Sequence, residues 1–135
     1  MERTEVVRRG RALVGVRFRR QGRAAEHGLD CVGLAAAAAG IERGCVPADY
    51  PLRSDDRRKA EAGFQRLGFR NIDPSAALAG DFLLVRAGPH QLHVLIITDG
   101  GYLHADAGLR RVVEVPGAVD WPVLSAWQHP GAGEG

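Results

Sequence analysis

Gly28-Leu29-Asp30-Cys31-Val32-Gly33-Leu34, followed by alanine at every position from 35 to 39, is the stretch that decides the fold. Leucine and alanine favour helices, and their small apolar side chains predict a helix that packs closely on every side. Asp30 is placed to cap this helix, because its carboxylate can accept hydrogen bonds from the amides of the first turn. We expect the helix to end at about 41–43, where Gly40 and Gly44 follow the alanines.

The same stretch places the thiol of Cys31 in the first turn of the helix. The positive end of the helix dipole favours the thiolate, which is the reactive form of cysteine. The alternative is a buried, inert cysteine, as most free cysteines are. Cys45, the second cysteine, lies in a loop-like segment with no metal-ligand spacing to Cys31, and a disulfide between the two stays open at this point.

Length and composition predict one domain over residues 1–130 with a glycine-rich, flexible tail at 131–135. No apolar span is long enough to cross a membrane, and the first residues lack the apolar core of a signal peptide, so we expect synthesis in the cytoplasm without a leader. The net charge is +2, with arginines crowded into the first quarter. Aromatic interleaving and groove-reading motifs are lacking, so this pattern favours a solvated basic face over nucleic-acid binding.

Helical periodicity and punctuation divide the first half of the chain. We expect a helix over 4–14 with Thr4 as its cap and Gly15 as its stop, then a loop over 16–28. Two prolines make 47–52 irregular. Ser54-Asp55-Asp56 then predicts the start of another helix, with Ala60, Phe64 and Leu67 on one apolar stripe and Gly68 after its end.

The second half changes to the short, β-branched runs that are typical of strands. We expect strands over 81–86, 92–98, 102–105, 111–115 and 121–127, with a tight turn at Asp99-Gly100-Gly101. Helices followed by an antiparallel meander define an α+β domain.

Two histidines flank the predicted turn and provide partners for the thiol. A tight hairpin pairs positions that sum to about 199–201, so His93 lies opposite residues 106–108 and His104 lies one short diagonal away. The two imidazoles share a face if the parity of the register permits it, which the spacing alone does not fix because a bulge would change it. An imidazole that takes the proton of a thiol makes it a nucleophile, and a second polar group orients that imidazole. Cys31, His93 and His104 can fill these roles in that order, with amides at the helix start facing an oxyanion.

Other interpretations of these histidines stay open at this stage. A single histidine in a strand is more often structural than catalytic. His90, His93 and His104, with the thiol, can also be considered as zinc ligands, but the ligand spacing is incomplete. His27 and His129 lie in predicted loops and receive no role.

Five segments in order resemble the NlpC/P60 family of cysteine peptidases, which cleave peptide stems of bacterial cell walls. These are residues 12–22, Asp30-Cys31-Val32-Gly33-Leu34, Ala79-Gly80-Asp81-Phe82-Leu83, His93-Val94-Leu95-Ile96 and Leu103-His104-Ala105. The resemblance implies a papain-like fold, with the nucleophile at a helix N-terminus packed on an antiparallel sheet, and with no metal or cofactor.

The family's activity implies a thiol endopeptidase that cleaves the bond between γ-D-glutamate and the diamino acid of the stem peptide. Cys31 attacks, His93 is base and then acid, and His104 orients it. Asp30 caps the helix and binds the free amine of the stem, while Phe18 and Val32 also contact the substrate. The arginine-rich loop steers an anionic wall polymer to the site.

Several positions depart from the family pattern, and they put substrate preference in doubt more than the triad. Val32 replaces serine, Phe18 replaces tyrosine, and Ala79 replaces proline; Arg17 replaces proline and Arg20 replaces tryptophan or histidine. Two alternatives follow: a structural protein that keeps the fold without the activity, and a thiol amidase or acyltransferase on the same fold.

One branch of the family shows a further resemblance, the cell-wall peptidases of phages and gene transfer agents. It rests on Phe18-Arg19-Arg20-Gln21-Gly22, Val112-Val113-Glu114-Val115 and residues 121–130. The branch implies a tail-tip location, tail hub or baseplate proteins as partners, and delivery to the host wall by the particle.

Overall fold

A computed structural model describes residues 2–42, 45, 54 and 56–132. These residues form three helices and eight strands. The helices are α1 (Arg3–Ala12), α2 (Cys31–Ala39) and α3 (Arg57–Arg66). The strands are β1 (Arg23–Ala24), β2 (Gly28–Leu29), β3 (Arg70–Ile72), β4 (Phe82–Gly88), β5 (Gln91–Thr98), β6 (Gly101–Asp106), β7 (Arg111–Pro116) and β8 (Val123–Gln128).

The main sheet has six strands in the order β3-β8-β4-β5-β6-β7, and each neighbouring pair is antiparallel. The predicted meander is confirmed for β4 to β7, but β8 crosses back and lies between β3 and β4. Local sequence patterns do not predict this crossover, because it depends on packing between distant segments. Trp127 of β8 is buried and stacks on Phe64 of α3. The α+β class itself is confirmed.

The first helix begins one residue before the predicted cap, so the assignment of Thr4 was wrong. Glu2 is the N-cap and its side chain makes no capping bond, while the helix ends at Ala12 rather than near Gly15. Gly10, which weakens the helix in sequence terms, lies against Leu103 of the sheet, where an added Cβ would collide with the leucine side chain. The glycine therefore lets α1 approach the sheet closely.

The central helix α2 is shorter than predicted. It ends at Ala39, and Gly40 takes the left-handed conformation that closes it, with φ of 72°. Gly44 lies outside the described residues. Leu34 and Ala38 pack with Val6 of α1 and with Ile96 of β5 in the largest core cluster.

The third helix confirms the predicted apolar stripe, with Ala60, Phe64 and Leu67 packed against the core. Asp56 caps it through a bond from the Arg58 amide. The irregular segment predicted at 47–52 lies outside the described residues. Ala132 is 1% exposed, within the predicted tail, and positions 133–135 are outside the described part.

A buried ion pair joins α1 to the start of β4. Arg3 donates to Asp81 at 2.9 Å, and Asp81, which is fully buried, also accepts from the Leu78 amide. Gly80 lies directly against the Arg3 backbone, where a side chain would not fit. Within the described ranges no helix is long and apolar enough to cross a membrane.

Candidate active site

The loop before α2 is built from close glycine contacts. The carbonyl oxygen of Gly22 lies against Gly33 in the first turn of α2, where a Cβ would collide with it. The same carbonyl accepts a hydrogen bond from the Asp30 amide at 3.2 Å. Part of the segment predicted as loop forms the β1–β2 hairpin. These contacts fix the residue before the cysteine and hence the start of the helix.

Asp30 caps α2 as predicted, and its carboxylate also holds the preceding loop. One oxygen accepts from the Gly33 amide at 2.8 Å and from Arg23 at 2.7 Å, and the other accepts from the Gln21 amide at 3.1 Å. The Arg23–Asp30 pair is almost completely buried. The carboxylate thus organises the first turn, and its additional role in binding a substrate amine stays a prediction.

The thiol of Cys31 lies in the first turn of α2, only 3% exposed. Burial raises its pKa to about 12, helped by the negative charge of Asp30 and opposed by amide hydrogen bonds and Arg23. The expectation of a lowered pKa was therefore wrong for this state, because loss of solvent outweighs the helix terminus. At neutral pH the resting group is the thiol.

Strands β5 and β6 pair only near the turn that joins them and then diverge. The ladder between these strands ends at Ile96 and Leu103, whereas β6 continues along β7 as far as Asp106. The Ile97 amide points toward the β4 side and donates to Asp81, so the amide of Val94 points to the β6 side, into the gap. Val94 packs in one cluster with Cys31, and its amide lowers the pKa of the thiol.

The two histidines of the predicted hairpin meet as expected. His93 Nε2 lies 3.0 Å from His104 Nδ1, and the rings are almost perpendicular, with centroids 5.1 Å apart. The observed register sums to 199, within the predicted range. His93 Nδ1 has no hydrogen-bond partner among the described residues, and neither histidine bonds to the thiol there. Nδ1 is therefore the nitrogen of His93 that is available to accept a proton.

Burial keeps both imidazoles neutral. The pKa of His93 falls to about 4, mainly through desolvation and then through the neighbouring His104, while Asp106 opposes the shift. The pKa of His104 is also lowered by desolvation and raised in part by Asp106. At neutral pH both histidines therefore rest in the unprotonated form, which is the form that can accept a proton.

The aromatic side chains around His93 and His104 were not predicted from the sequence. Trp121 lies edge-on to both histidine rings, at 5.4 Å from each centroid, and Tyr102 contacts His104. Tyr102 has a sequence signal, since it lies two residues before His104 and therefore on the same face. Trp121 has none, because it comes from the loop that precedes β8.

The remaining predicted contact residues lie near the thiol or its loop. Val32 is partly buried against the cluster that contains Cys31, and its amide also lowers the pKa of the thiol. Phe18 packs against the main core, and its amide donates to Arg110 at 2.9 Å. The Gly33 amide is used by Asp30, whereas the Cys31 amide makes no hydrogen bond within the described part of the chain. The Cys31 amide is therefore the free donor for an oxyanion.

The other histidines are not part of this group. His129 is buried, and its Nε2 lies 2.8 Å from the carbonyl oxygen of Ala39 at the end of α2, although the two residues are 90 positions apart in the sequence. Its Nδ1 accepts from the Gly131 amide. Within the described residues no cluster of three or more histidine, cysteine or acidic side chains has the geometry to hold a metal.

Comparison with known proteins gives structural neighbours only. No protein-family model matches the sequence, and no curated protein matches it. The NlpC/p60 domain of peptidoglycan hydrolase SagA is similar, with a TM-score of 0.66 and 20% identity over 95% of this chain and 99% of that one. NlpC1 from Trichomonas vaginalis has a TM-score of 0.64 and 20% identity over 91% of this chain, which spans 43% of that structure.

A third neighbour is RipD from Mycobacterium tuberculosis, described as a non-catalytic NlpC/p60 domain protein adapted to peptidoglycan binding. Its TM-score is 0.58, with 18% identity over 93% of this chain and 94% of that one. The chain therefore has the NlpC/P60 fold, the class implied by the sequence resemblance. The fold includes members with and without catalysis, so function must be argued from the site.

Proposed function

We propose that the protein is a thiol endopeptidase that hydrolyses peptidoglycan stem peptides. The observation that carries the proposal is the 3.0 Å contact of His93 with His104, on the strand whose Val94 packs in one cluster with the helix-terminal Cys31. In the proposal, His93 Nδ1, the nitrogen that this contact leaves unused, takes the proton of the thiol. The similar SagA domain, named as part of a peptidoglycan hydrolase, supports the substrate class.

In this mechanism the Cys31 thiol gives its proton to His93 Nδ1 as the sulfur attacks the substrate carbonyl carbon. The Cys31 amide donates to the oxyanion. When the C–N bond breaks, the imidazolium protonates the leaving amine and a thioester remains on Cys31. Water, losing a proton to His93, then hydrolyses the thioester, and the proton returns to the sulfur.

The scissile bond in the proposal is that between γ-D-glutamate and the diamino acid, supported by the sequence resemblance. In the proposal Asp30, Phe18 and Val32 contact the substrate. Relative to the family pattern, Phe18 and Val32 each lack a hydroxyl group, so we expect a changed substrate preference rather than a loss of turnover. A panel of stem peptides, amides and acyl acceptors separates this reaction from that of an amidase or acyltransferase.

Release of soluble fragments from purified sacculi, and cleavage of a stem tetrapeptide, test the proposal. We expect release by the wild type and none by Cys31→Ala. Cys45→Ala is the matched control, because it removes the exposed cysteine and leaves the buried one. Equal release by the wild type and Cys31→Ala contradicts the proposal.

A second candidate function is peptidoglycan binding without catalysis, and the raised pKa of Cys31 favours it. RipD, described as non-catalytic, is a structural precedent. Alkylation with iodoacetamide at a series of pH values separates the two, with Cys45 as an exposed internal reference. A rate for Cys31 that follows an imidazole ionisation below pH 7 supports catalysis; a rate that rises only toward the thiol's own pKa supports binding alone.

We also propose that a phage-like tail tip carries the protein to the host periplasm and wall, with hub or baseplate proteins as partners. The support is the sequence resemblance of residues 18–22, 112–115 and 121–130 to the tail-associated branch. Antibody labelling of purified particles tests it: we expect label at the tail tip, and label absent from intact particles contradicts it.

A further inference from the structure

Asp106, at the end of β6, faces His104 of the histidine pair. Its Oδ2 lies 3.8 Å from His104 Nε2, and the His104 side chain is almost fully buried. The other oxygen, Oδ1, accepts from the Gly108 amide at 2.8 Å and from the Leu109 amide at 3.0 Å. Those two bonds hold the carboxylate in the β6–β7 turn with one oxygen directed at the imidazole.

We propose that Asp106 is a positioning residue that fixes the tautomer of both histidines and so leaves His93 Nδ1 as the base. This rests on the proposed function for its consequence, but the tautomers are a property of the resting protein. A carboxylate facing His104 Nε2 favours a proton on that nitrogen, which makes Nδ1 an acceptor. His93 Nε2 must then donate across the 3.0 Å contact, and its Nδ1 carries no proton.

The groups that face the pair from other elements are few and chemically distinct. Cys31 of α2 lies beside β5 as a neutral thiol, and Tyr102 of β6 contacts His104. Asp120, before β8, acts on Tyr102, whose pKa is raised by burial and then by Asp120 and Asp106. Of the two carboxylates, only Asp106 acts directly on His93 and His104 among the described residues.

Asp106→Asn removes the negative charge of the side chain without removing the oxygen that holds the turn. The asparagine oxygen can keep the bonds from Gly108 and Leu109, and its amide then points an N–H group at His104 Nε2. That nitrogen becomes an acceptor, the direction of the His104–His93 bond reverses, and His93 Nδ1 acquires the proton. A base in the wrong tautomer cannot accept the thiol proton.

The first measurement is the tautomeric state of the labelled histidines by nitrogen–proton correlation NMR in the intact chain. We expect Nε2–H forms for both His93 and His104 in the wild type, and an Nδ1–H form for His93 in Asp106→Asn. Asp73→Asn is the matched control, since Asp73 also holds a turn through the Ser75 amide but lies outside the site. Unchanged tautomers in Asp106→Asn overturn the inference.

The second measurement is the pH profile of stem-peptide cleavage. We expect kcat to fall at least about tenfold in Asp106→Asn with KM nearly unchanged, less than the roughly ten-thousandfold effect of an aspartate that bonds its histidine directly. The acid limb moves to lower pH, because the charge that opposes the low pKa of His93 is gone. Asp106→Glu, which keeps the charge, recovers part of kcat.

The outcomes distinguish the two proposals. An active wild type with identical kcat and pH profile in Asp106→Asn overturns the role of Asp106 and leaves the endopeptidase proposal standing. An inactive wild type with the expected tautomer change contradicts the endopeptidase and retains the positioning role. Equal losses in Asp106→Asn and Asp106→Glu, with unchanged tautomers, identify a purely structural turn residue.

Discussion

Two buried histidines, His129 and His93, differ in how their ring nitrogens are used. Among the described residues, only His93 of these two has a ring nitrogen without a hydrogen-bond partner. His129 uses both ring nitrogens on backbone groups, with Nε2 at the Ala39 carbonyl and Nδ1 at the Gly131 amide. His93 uses Nε2 on His104, and its Nδ1 has no hydrogen-bond partner among the described residues. Burial lowers the pKa in both places. The difference between a structural and a functional histidine is therefore the unused nitrogen.

The sharpest contrast is between His93→Asn and His129→Asn in cleavage of a stem peptide. We expect kcat to fall at least about 10³-fold in His93→Asn, because general-base catalysis contributes about 10²–10⁴-fold and the thiol here is not ionised in advance. His129→Asn keeps wild-type kcat at temperatures where it is folded. Comparable losses in the two variants remove the distinction.

The order of the two variants is reversed when the free energy of unfolding is measured in urea at neutral pH. We expect His129→Asn to lose about 2 kcal/mol of the free energy of unfolding, because a buried carbonyl at the end of α2 loses its donor. His93→Asn, whose side chain has an open nitrogen, loses less than half of that. Tryptophan fluorescence follows the transition, and a larger loss in His93→Asn contradicts the assignment.

Acid tests the buried neutral state of His93. Its pKa is about 4 in the folded protein against an ordinary value of 6.5, so the unfolded chain binds more protons between these values and stability falls as pH is lowered through this window. We expect a loss of about 2 kcal/mol between pH 7 and pH 5. His93→Asn makes the loss smaller, and an unchanged pH dependence in that variant contradicts the low pKa.

The smallest effect concerns the aromatic cover. Trp121→Ala opens the histidine pair to water, so desolvation weakens, the pKa of His93 rises toward its ordinary value, and the acid limb of the activity profile moves to higher pH. Trp121→Phe keeps an aromatic ring and serves as control. An acid limb that stays in place in Trp121→Ala excludes the tryptophan from the electrostatics of the site.

The parts that the sequence predicted well depend on local rules. Asp30 caps α2 because a carboxylate before an alanine run can accept from the amides of the first turn. The tight turn at 99–101 predicts a hairpin whose positions sum to about 199–201, and the observed sum of 199 places His93 and His104 on one face. A shift of one residue would have separated them, so the register itself depended on the structure.

The parts that it missed depend on packing between distant segments. The insertion of β8 between β3 and β4, and the position of Trp121 that follows from it, have no local signal. The pKa of Cys31 was predicted in the wrong direction because the helix terminus is visible in sequence, whereas the surrounding Leu84, Leu92 and Val94 are not.

The central claim is that the buried thiol of Cys31 becomes covalently acylated with the help of His93. Rapid quenching of the protein with a stem tetrapeptide, followed by mass spectrometry of the fragment that contains Cys31, tests it most directly. We predict a transient acyl adduct on Cys31 in the wild type that is strongly reduced in His93→Asn and absent from the fragment that contains Cys45. Cleavage of the peptide with no adduct and no dependence on Cys31 would contradict the account.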